Sequence, residues 1–439
     1  MNKIYCLFSG MSLLYCSVAL SVDQVKPETV GLSKIRLERI SQLIDQHIAQ
    51  KKIAGAVTLV ARKGKIAYLH SSGLADIDKP MQADTIFRIV SMTKPITSTA
   101  IMLLYEQGKL LPSDPVAKYI PEFQNQKVLV MQPEGSDFPY KLLPVKRDVT
   151  IHDLLTHTSG ILYLASTGWF PDAKREQVIS FYRDAGITDG FCRPDETIGS
   201  MVKRLAKLPL YAQPGEKWEY SLSADVLGYL VEVVSGMKFD KFVQTQIFDP
   251  LKMTDSHFYI PETKLARLSA DWNSDWKGSL SRVTGPLIDG DLALCPNDAY
   301  ALSGQYLSGG ASVLSTAYDY YRFAQMFLNM GELDGVRILS RKTVELMTAT
   351  NHTGDLDATL LHSKGWKFGL GFAIQQDRSH NVDSGDAGVF EWAGYYSTRF
   401  SVNPKEQTVT IFLSQTSPFG AHFGLWDKIT ALSTSAIVD

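Results

Sequence analysis

Serine followed three residues later by lysine is the chemically suggestive pattern that remains once common signatures are set aside. The chain has no G-x-S-x-G nucleophile elbow, no H-E-x-x-H zinc helix, no phosphate-binding P-loop and no C-x-x-C pair. On a helix, a serine and a lysine three apart stand on one face. The amine can then take or relay the hydroxyl proton and make the serine a nucleophile. The pattern occurs at Ser91/Lys94, Ser200/Lys203, Ser235/Lys238 and Ser274/Lys277. If there is one site, the other occurrences are accidental.

Context separates them. Phe87-Arg88-Ile89-Val90 reads as a short strand, and Ile96, Ala100, Leu103 and Leu104 recur at helical spacing after Ser91. Ser91 is therefore predicted to open a buried helix, where free N–H groups and partial positive charge can hold an oxyanion. Pro95 suits the first turn of such a helix. The plainer alternative is a capping serine with Lys94 in solvent. Ser200/Lys203 and Ser235/Lys238 lie on polar stretches, and Gly236 marks a helix end.

The elements that must position this pair are of two kinds. Ser33 precedes Ile35, Leu37, Ile40, Leu43, Ile44 and Ile48 at helical spacing, and strands over 57–61 and 65–70 flank a turn at Arg62-Lys63-Gly64. Thr150 and Asp153 form a capping box, and Ala224, Leu227, Val231 and Val234 share a helical face. Strands return over 395–402 and 408–414, and a last helix spans about 423–433. The fold class is therefore α+β: one antiparallel sheet from the N- and C-terminal segments, flanked by helices, with an inserted helical region. The sheet region covers about 26–90 and 305–439, the helical region about 91–304. The polar stretch 124–147, with Pro133, Gly135, Pro139 and Pro144, reads as a surface insertion.

Ser91-Met92-Thr93-Lys94, the segment from His152 through Thr156-His157-Thr158-Ser159-Gly160, Pro214-Gly215-Glu216-Lys217-Trp218-Glu219-Tyr220-Ser221, and Trp392-Ala393-Gly394 together resemble the serine β-lactamase and penicillin-binding protein superfamily. The Tyr-Ser and Trp-x-Gly motifs bring the chain nearest to the β-lactamase-like carboxylesterases, the eighth bacterial esterase family. The resemblance covers roughly residues 26 to 435. It implies Ser91 as acylated nucleophile, Lys94 as its proton partner and Tyr220 as third member. It also implies an oxyanion hole made by the N–H groups of Ser91 and Tyr395. A nearby ammonium favours the Tyr220 phenolate, so Lys94 and Tyr220 are read as a coupled pair, and the sequence does not choose between them as base. His157 and His152 are expected to be structural. The glycines of Tyr306-Leu307-Ser308-Gly309-Gly310 are expected to serve turn geometry.

Departures from the lactamase pattern bear on substrate. Trp392 stands where lactamases usually place a lysine, and Leu222 where many have asparagine. Trp392, Gly394 and Leu222 are thus expected to bind substrate, and the lost cation favours a neutral, apolar ester. The expected activity is hydrolysis of short-chain esters through an acyl-serine, without metal or cofactor. The alternatives are a β-lactamase or D-alanyl peptidase of the same fold, or a silent protein that binds cell-wall peptide.

Composition sets the outer limits. With 44 basic and 46 acidic residues among 439, the chain lacks the basic excess of a nucleic-acid binder. Lys3 is the only charge in residues 1–21, and a mostly apolar run ends at Ala19-Leu20-Ser21, which reads as a signal peptide. A membrane anchor and a lipoprotein at Cys16 are weaker readings. The expectation is a single catalytic unit over 22–439, secreted or periplasmic, with no stable membrane association after cleavage. Cys192 and Cys295 could bridge or remain free thiols.

Overall fold

The computed structural model describes residues 22–166, 171–188, 195–275, 277–285, 287–289, 292–294, 304–356, 365–376, 386–418 and 423–439; residues 1–21, expected to be a signal peptide, and Cys192 and Cys295 lie outside them. Strand β1 (Gly55–Arg62) is an almost unbroken apolar run, buried at every residue. Successive strand side chains point to opposite faces. Val57, Leu59 and Ala61 accordingly enter one core, while Ala56 and Val60 enter a second. Lys63 and Gly64, with φ of 53° and 74°, make the two-residue turn into β2 (Lys65–Asp76). Two consecutive positive φ values are what a type I′ hairpin requires.

The remaining sheet strands are β3 (Lys79–Pro80), β4 (Trp366–Phe368), β5 (Ala373–Gln375), β6 (Phe390–Gly394), β7 (Thr398–Asn403) and β8 (Thr408–Ser414). All eight pair antiparallel in the order β4-β5-β6-β7-β8-β1-β2-β3. N- and C-terminal segments meet at the β1–β8 seam, where Val57 lies opposite Leu413. The sheet is thus assembled from both ends of the chain, as the sequence implied.

Helix α1 (Lys34–Ala49) and the C-terminal helix Phe423–Ser435 cover one face, through Leu37, Ile40 and Ile44 beside Leu425, Trp426 and Ile429. Ile35, expected on that apolar stripe, is 74% exposed. The helical region covers the other face and holds α2 (Thr93–Glu106), α3 (Ile151–Leu155) and α4 (Ser223–Ser235). On the same side, α5 (Ala317–Leu328) places Tyr320 4.9 Å from the ring of Phe400 on β7. No described helix is long and apolar enough to cross a membrane.

Two sequence expectations change. The strand expected over 395–402 begins only at Thr398. Tyr395, Tyr396 and Ser397 turn instead between β6 and β7, with Ser397 at φ 63° donating its N–H to Gly394 O at 3.1 Å. β-Propensity of the two tyrosines masked that turn. Strand β6 is interior to the sheet, flanked by β5 and β7. The polar stretch 124–147 forms a hairpin of Lys127–Met131 with Tyr140–Pro144, Val128 lying opposite Leu143. Pro133, Gly135 and Pro139 occupy its connection, where neither missing donors nor a positive φ disturb the ladder.

Candidate active site

Val90 precedes Ser91 with φ +45°, a left-handed conformation that a β-branched residue rarely adopts. Such strain persists only where neighbours impose it. Here they do. Arg88 pairs with Leu314, Ile89 N–H donates to Val313 O at 3.1 Å, and the Tyr320 hydroxyl donates to Met92 O at 2.9 Å. The 3₁₀ turn Val90–Met92 then runs into α2, whose residues from Thr93 to Leu104 are all buried. Met92, not Ser91, occupies the N-cap position, so the Ser91 hydroxyl is not spent on capping.

Lys94 is only 2% exposed, which excludes the solvent-facing alternative. Its ammonium donates to Ser91 Oγ at 3.0 Å and to Gly310 O at 2.9 Å. The same nitrogen lies over the rings of Tyr220 and Tyr163, at 4.6 and 5.2 Å from their centres. An amine so placed can accept the serine proton directly.

Tyr220 is buried against this group. Burial pushes its phenol well above the ordinary tyrosine range, although the polar groups of Ser91 and Trp392 beside it act in the opposite direction. Desolvation therefore outweighs the expected help from a neighbouring ammonium, and the resting group is a phenol. Thus Ser91, Lys94 and Tyr220 are brought together.

The Gly309-Gly310 loop needs its glycines for close approach rather than for turn geometry, because neither residue has a left-handed φ. A β-carbon on Gly310 would lie 2.7 Å from the Tyr163 hydroxyl, 3.0 Å from Asp225 Oδ2 and 3.4 Å from Lys94 Nζ. One on Gly309 would collide with Ala224 O. Thr97 Oγ1 fastens the loop by donating to Gly309 O at 2.6 Å.

Gly394 closes the other side. A β-carbon there would collide with Ile89 O and Thr398 Oγ1, so glycine lets β6 pass tightly beside the Ser91 turn. That approach brings the segment carrying the Tyr395 amide next to the one carrying the Ser91 amide. Trp392 is almost fully buried, its ring 5.6 Å from Tyr220 and 5.2 Å from Phe368. Leu222 is the N-cap residue of α4 and fully buried, which puts its side chain in the core rather than on an open wall.

His157 is buried, takes φ 56°, and holds Ser221 Oγ at 3.1 Å through Nδ1. Desolvation, followed by the Lys94 charge, drives its pKa well below the ordinary value, so the ring is neutral packing behind Tyr220. His152 pairs with His352 at 3.1 Å. None of the other serine–lysine pairs resembles the first. Lys203 is half exposed and pairs with Glu122, Ser235 ends α4 before left-handed Gly236, and Ser274 is buried while Lys277 is exposed.

Sequence reasoning missed Asp225, Tyr163 and Thr97. The signal for Asp225 was available: an acidic residue inside Ala224-Asp225-Val226-Leu227, in the buried first turns of α4.

A buried lysine on a serine at the start of a core helix, beside a tyrosine, defines a serine hydrolase. The chain belongs to the β-lactamase family, whose family model, described as Beta-lactamase, matches residues 40–433. It is 31% identical over 388 residues to Esterase EstB of Burkholderia gladioli, covering 86% of this chain and 90% of EstB. It is 32% identical over 378 residues to Protein Rv1367c of Mycobacterium tuberculosis (strain ATCC 25618 / H37Rv), covering 83% and 86% of the two chains. Among solved structures, EstCE1, described as a hydrolase with promiscuous acyltransferase activity, superposes with a TM-score of 0.76. Its identity is 27%, with 91% of this chain and 99% of EstCE1 covered.

Proposed function

We propose that this enzyme is a carboxylesterase that cleaves short-chain, neutral esters through an acyl-Ser91 intermediate. The observation that carries the reading is Lys94 Nζ at 3.0 Å from Ser91 Oγ, the lysine buried and the serine partly exposed. Ser91 Oγ attacks the ester carbonyl carbon as its proton passes directly to the Lys94 amine, beside the Tyr220 side chain. The N–H groups of Ser91 and Tyr395 receive the oxyanion, and the C–O bond to the alcohol breaks as the proton is returned to the leaving oxygen. Water then repeats the sequence and frees the acid. The name of EstB, at 31% identity, supports the ester reading.

Substrate preference follows from what the third motif lacks. Trp392 supplies no cation, and a charge-assisted bond to a lactam carboxylate is worth about 1.5 to 3 kcal/mol, roughly tenfold to a hundredfold. A neutral ester loses nothing by this. Purified protein should hydrolyse p-nitrophenyl butyrate with kcat/KM well above that for nitrocefin. Equal or faster nitrocefin turnover overturns the reading in favour of a β-lactamase.

Residues 1–21 act in this reading as a signal peptide that delivers a mature chain beginning at Val22 to the periplasm or exterior. The mature chain is one catalytic unit, as a hydrophobic core running from β1 through α2 and α4 to β8 supports. N-terminal sequencing of the exported protein tests the cleavage site.

A further inference from the structure

Asp225 is a carboxylate that the mechanism above leaves without a task. It lies one turn into α4, completely buried, and the Tyr306 hydroxyl reaches its Oδ1 at 3.5 Å. Its Oδ2 and the Lys94 ammonium face the same α-carbon of the Gly310 loop: a β-carbon there would lie 3.0 Å from one and 3.4 Å from the other. The Ser308 side chain and the Gly310 amide, which donates to Ser308 Oγ at 3.1 Å, also favour the carboxylate. A lysine charge this deeply buried needs a compensating anion. Among the described residues, the other titratable side chains facing this pair are Tyr163, Tyr220, Tyr306 and His157, and burial favours the uncharged forms of Tyr220 and His157.

We propose that Asp225 is a positioning residue that shares one proton with Lys94 and thereby sets the pH at which the Ser91 site becomes active. The inference rests on the serine-hydrolase reading of Ser91 and Lys94. Doubly protonated, the pair offers Ser91 only an ammonium. Loss of one proton leaves two arrangements, carboxylate with ammonium or carboxylic acid with amine, and the second accepts the Ser91 proton. Burial raises the Asp225 pKa, opposed by the Ser308 side chain and the Lys94 charge. Once ionised, the Asp225 carboxylate holds the remaining proton on Lys94, so the free amine appears at a higher pH than it would without that charge.

The test is the pH dependence of kcat/KM for p-nitrophenyl butyrate and of the rate at which a fluorophosphonate labels Ser91. Wild-type profiles should rise with pH as the pair gives up its protons. In Asp225→Asn, which removes the charge that holds the proton on Lys94, the midpoint should move downward by about one unit or more, with KM changed less than threefold. Asp225→Glu should restore the wild-type midpoint. Superimposable wild-type and Asn profiles overturn the proposal. If Asp225→Asn does not fold, Ser308→Ala decides: loss of a group that favours the Asp225 carboxylate should move the wild-type midpoint downward, and an unmoved midpoint overturns the idea. Failure of wild-type Ser91 to label at any pH would instead refute the underlying hydrolase reading.

Discussion

Lys94 Nζ lies 4.6 Å from the centre of the Tyr220 ring. Ammonium and aromatic face attract electrostatically when both are desolvated, so each side chain fixes the place of the other. Lys94→Ala and Tyr220→Phe should each remove most of kcat, and the double variant should lose little more. Additive losses in a double-mutant cycle would show that the two act separately.

Nucleophile identity gives the second prediction. Ser91→Ala should abolish fluorophosphonate labelling, whereas Ser200→Ala, Ser235→Ala and Ser274→Ala should keep kcat/KM within tenfold, about 1.4 kcal/mol of transition-state stabilisation. Residual labelling of the Ser91 variant, located by mass spectrometry, would identify a different nucleophile.

Gly310 should tolerate no side chain, because alanine would press on the Tyr163 hydroxyl, Asp225 and Lys94 together. Gly310→Ala is expected to lower kcat at least tenfold with an unchanged circular dichroism spectrum. Gly186, at φ 63° with open space around it, provides the contrast. There alanine should cost roughly 1 kcal/mol of stability for its left-handed backbone and leave kcat unaltered.

The α3 start supplies a pH-dependent stability prediction. Burial alone would raise the Asp153 pKa, but hydrogen bonds from Arg147, at 2.5 and 2.8 Å, and from Thr150 bring it below the ordinary value. A depressed carboxylate pKa stabilises the fold above the unfolded pKa, and the effect is lost as pH falls through the folded one. Arg147→Ala should cost about 2 kcal/mol at pH 7, at the lower side of buried pairs because Arg147 is partly exposed. The difference from wild type in urea denaturation should shrink toward pH 3; a constant difference would assign the loss to packing.

Much of this site was legible before any coordinates, for an identifiable reason. Ser91 and Lys94 belong to one local element, and a strand, a strained turn and a buried helix leave a pattern within about twenty residues. Tyr220 came through its motif rather than through periodicity. What escaped was non-local or depended on desolvation. Asp225 faces Lys94 only because α4 packs on α2, and a propensity argument sees it as one polar residue in a helix. Gly309 and Gly310 were assigned to a turn because sequence shows that glycine is required, not whether backbone torsion or crowding requires it. Burial of Trp392 and Leu222 likewise depends on how β6 and α4 settle. The hairpin in 124–147 was hidden by prolines and polar residues concentrated at its tip.

The β1–β8 seam governs how the molecule must be made. Ala56 pairs with Ser414, so during synthesis the first hairpin waits for nearly the whole polypeptide before its neighbour exists. Contacts this distant along the chain carry a large closure entropy and fold slowly. Until then β1, apolar on both sides, presents an open edge to any other nascent strand. A chain stopped short of β8 would carry an intact Ser91-x-x-Lys94 segment and still be an aggregation template rather than a smaller enzyme.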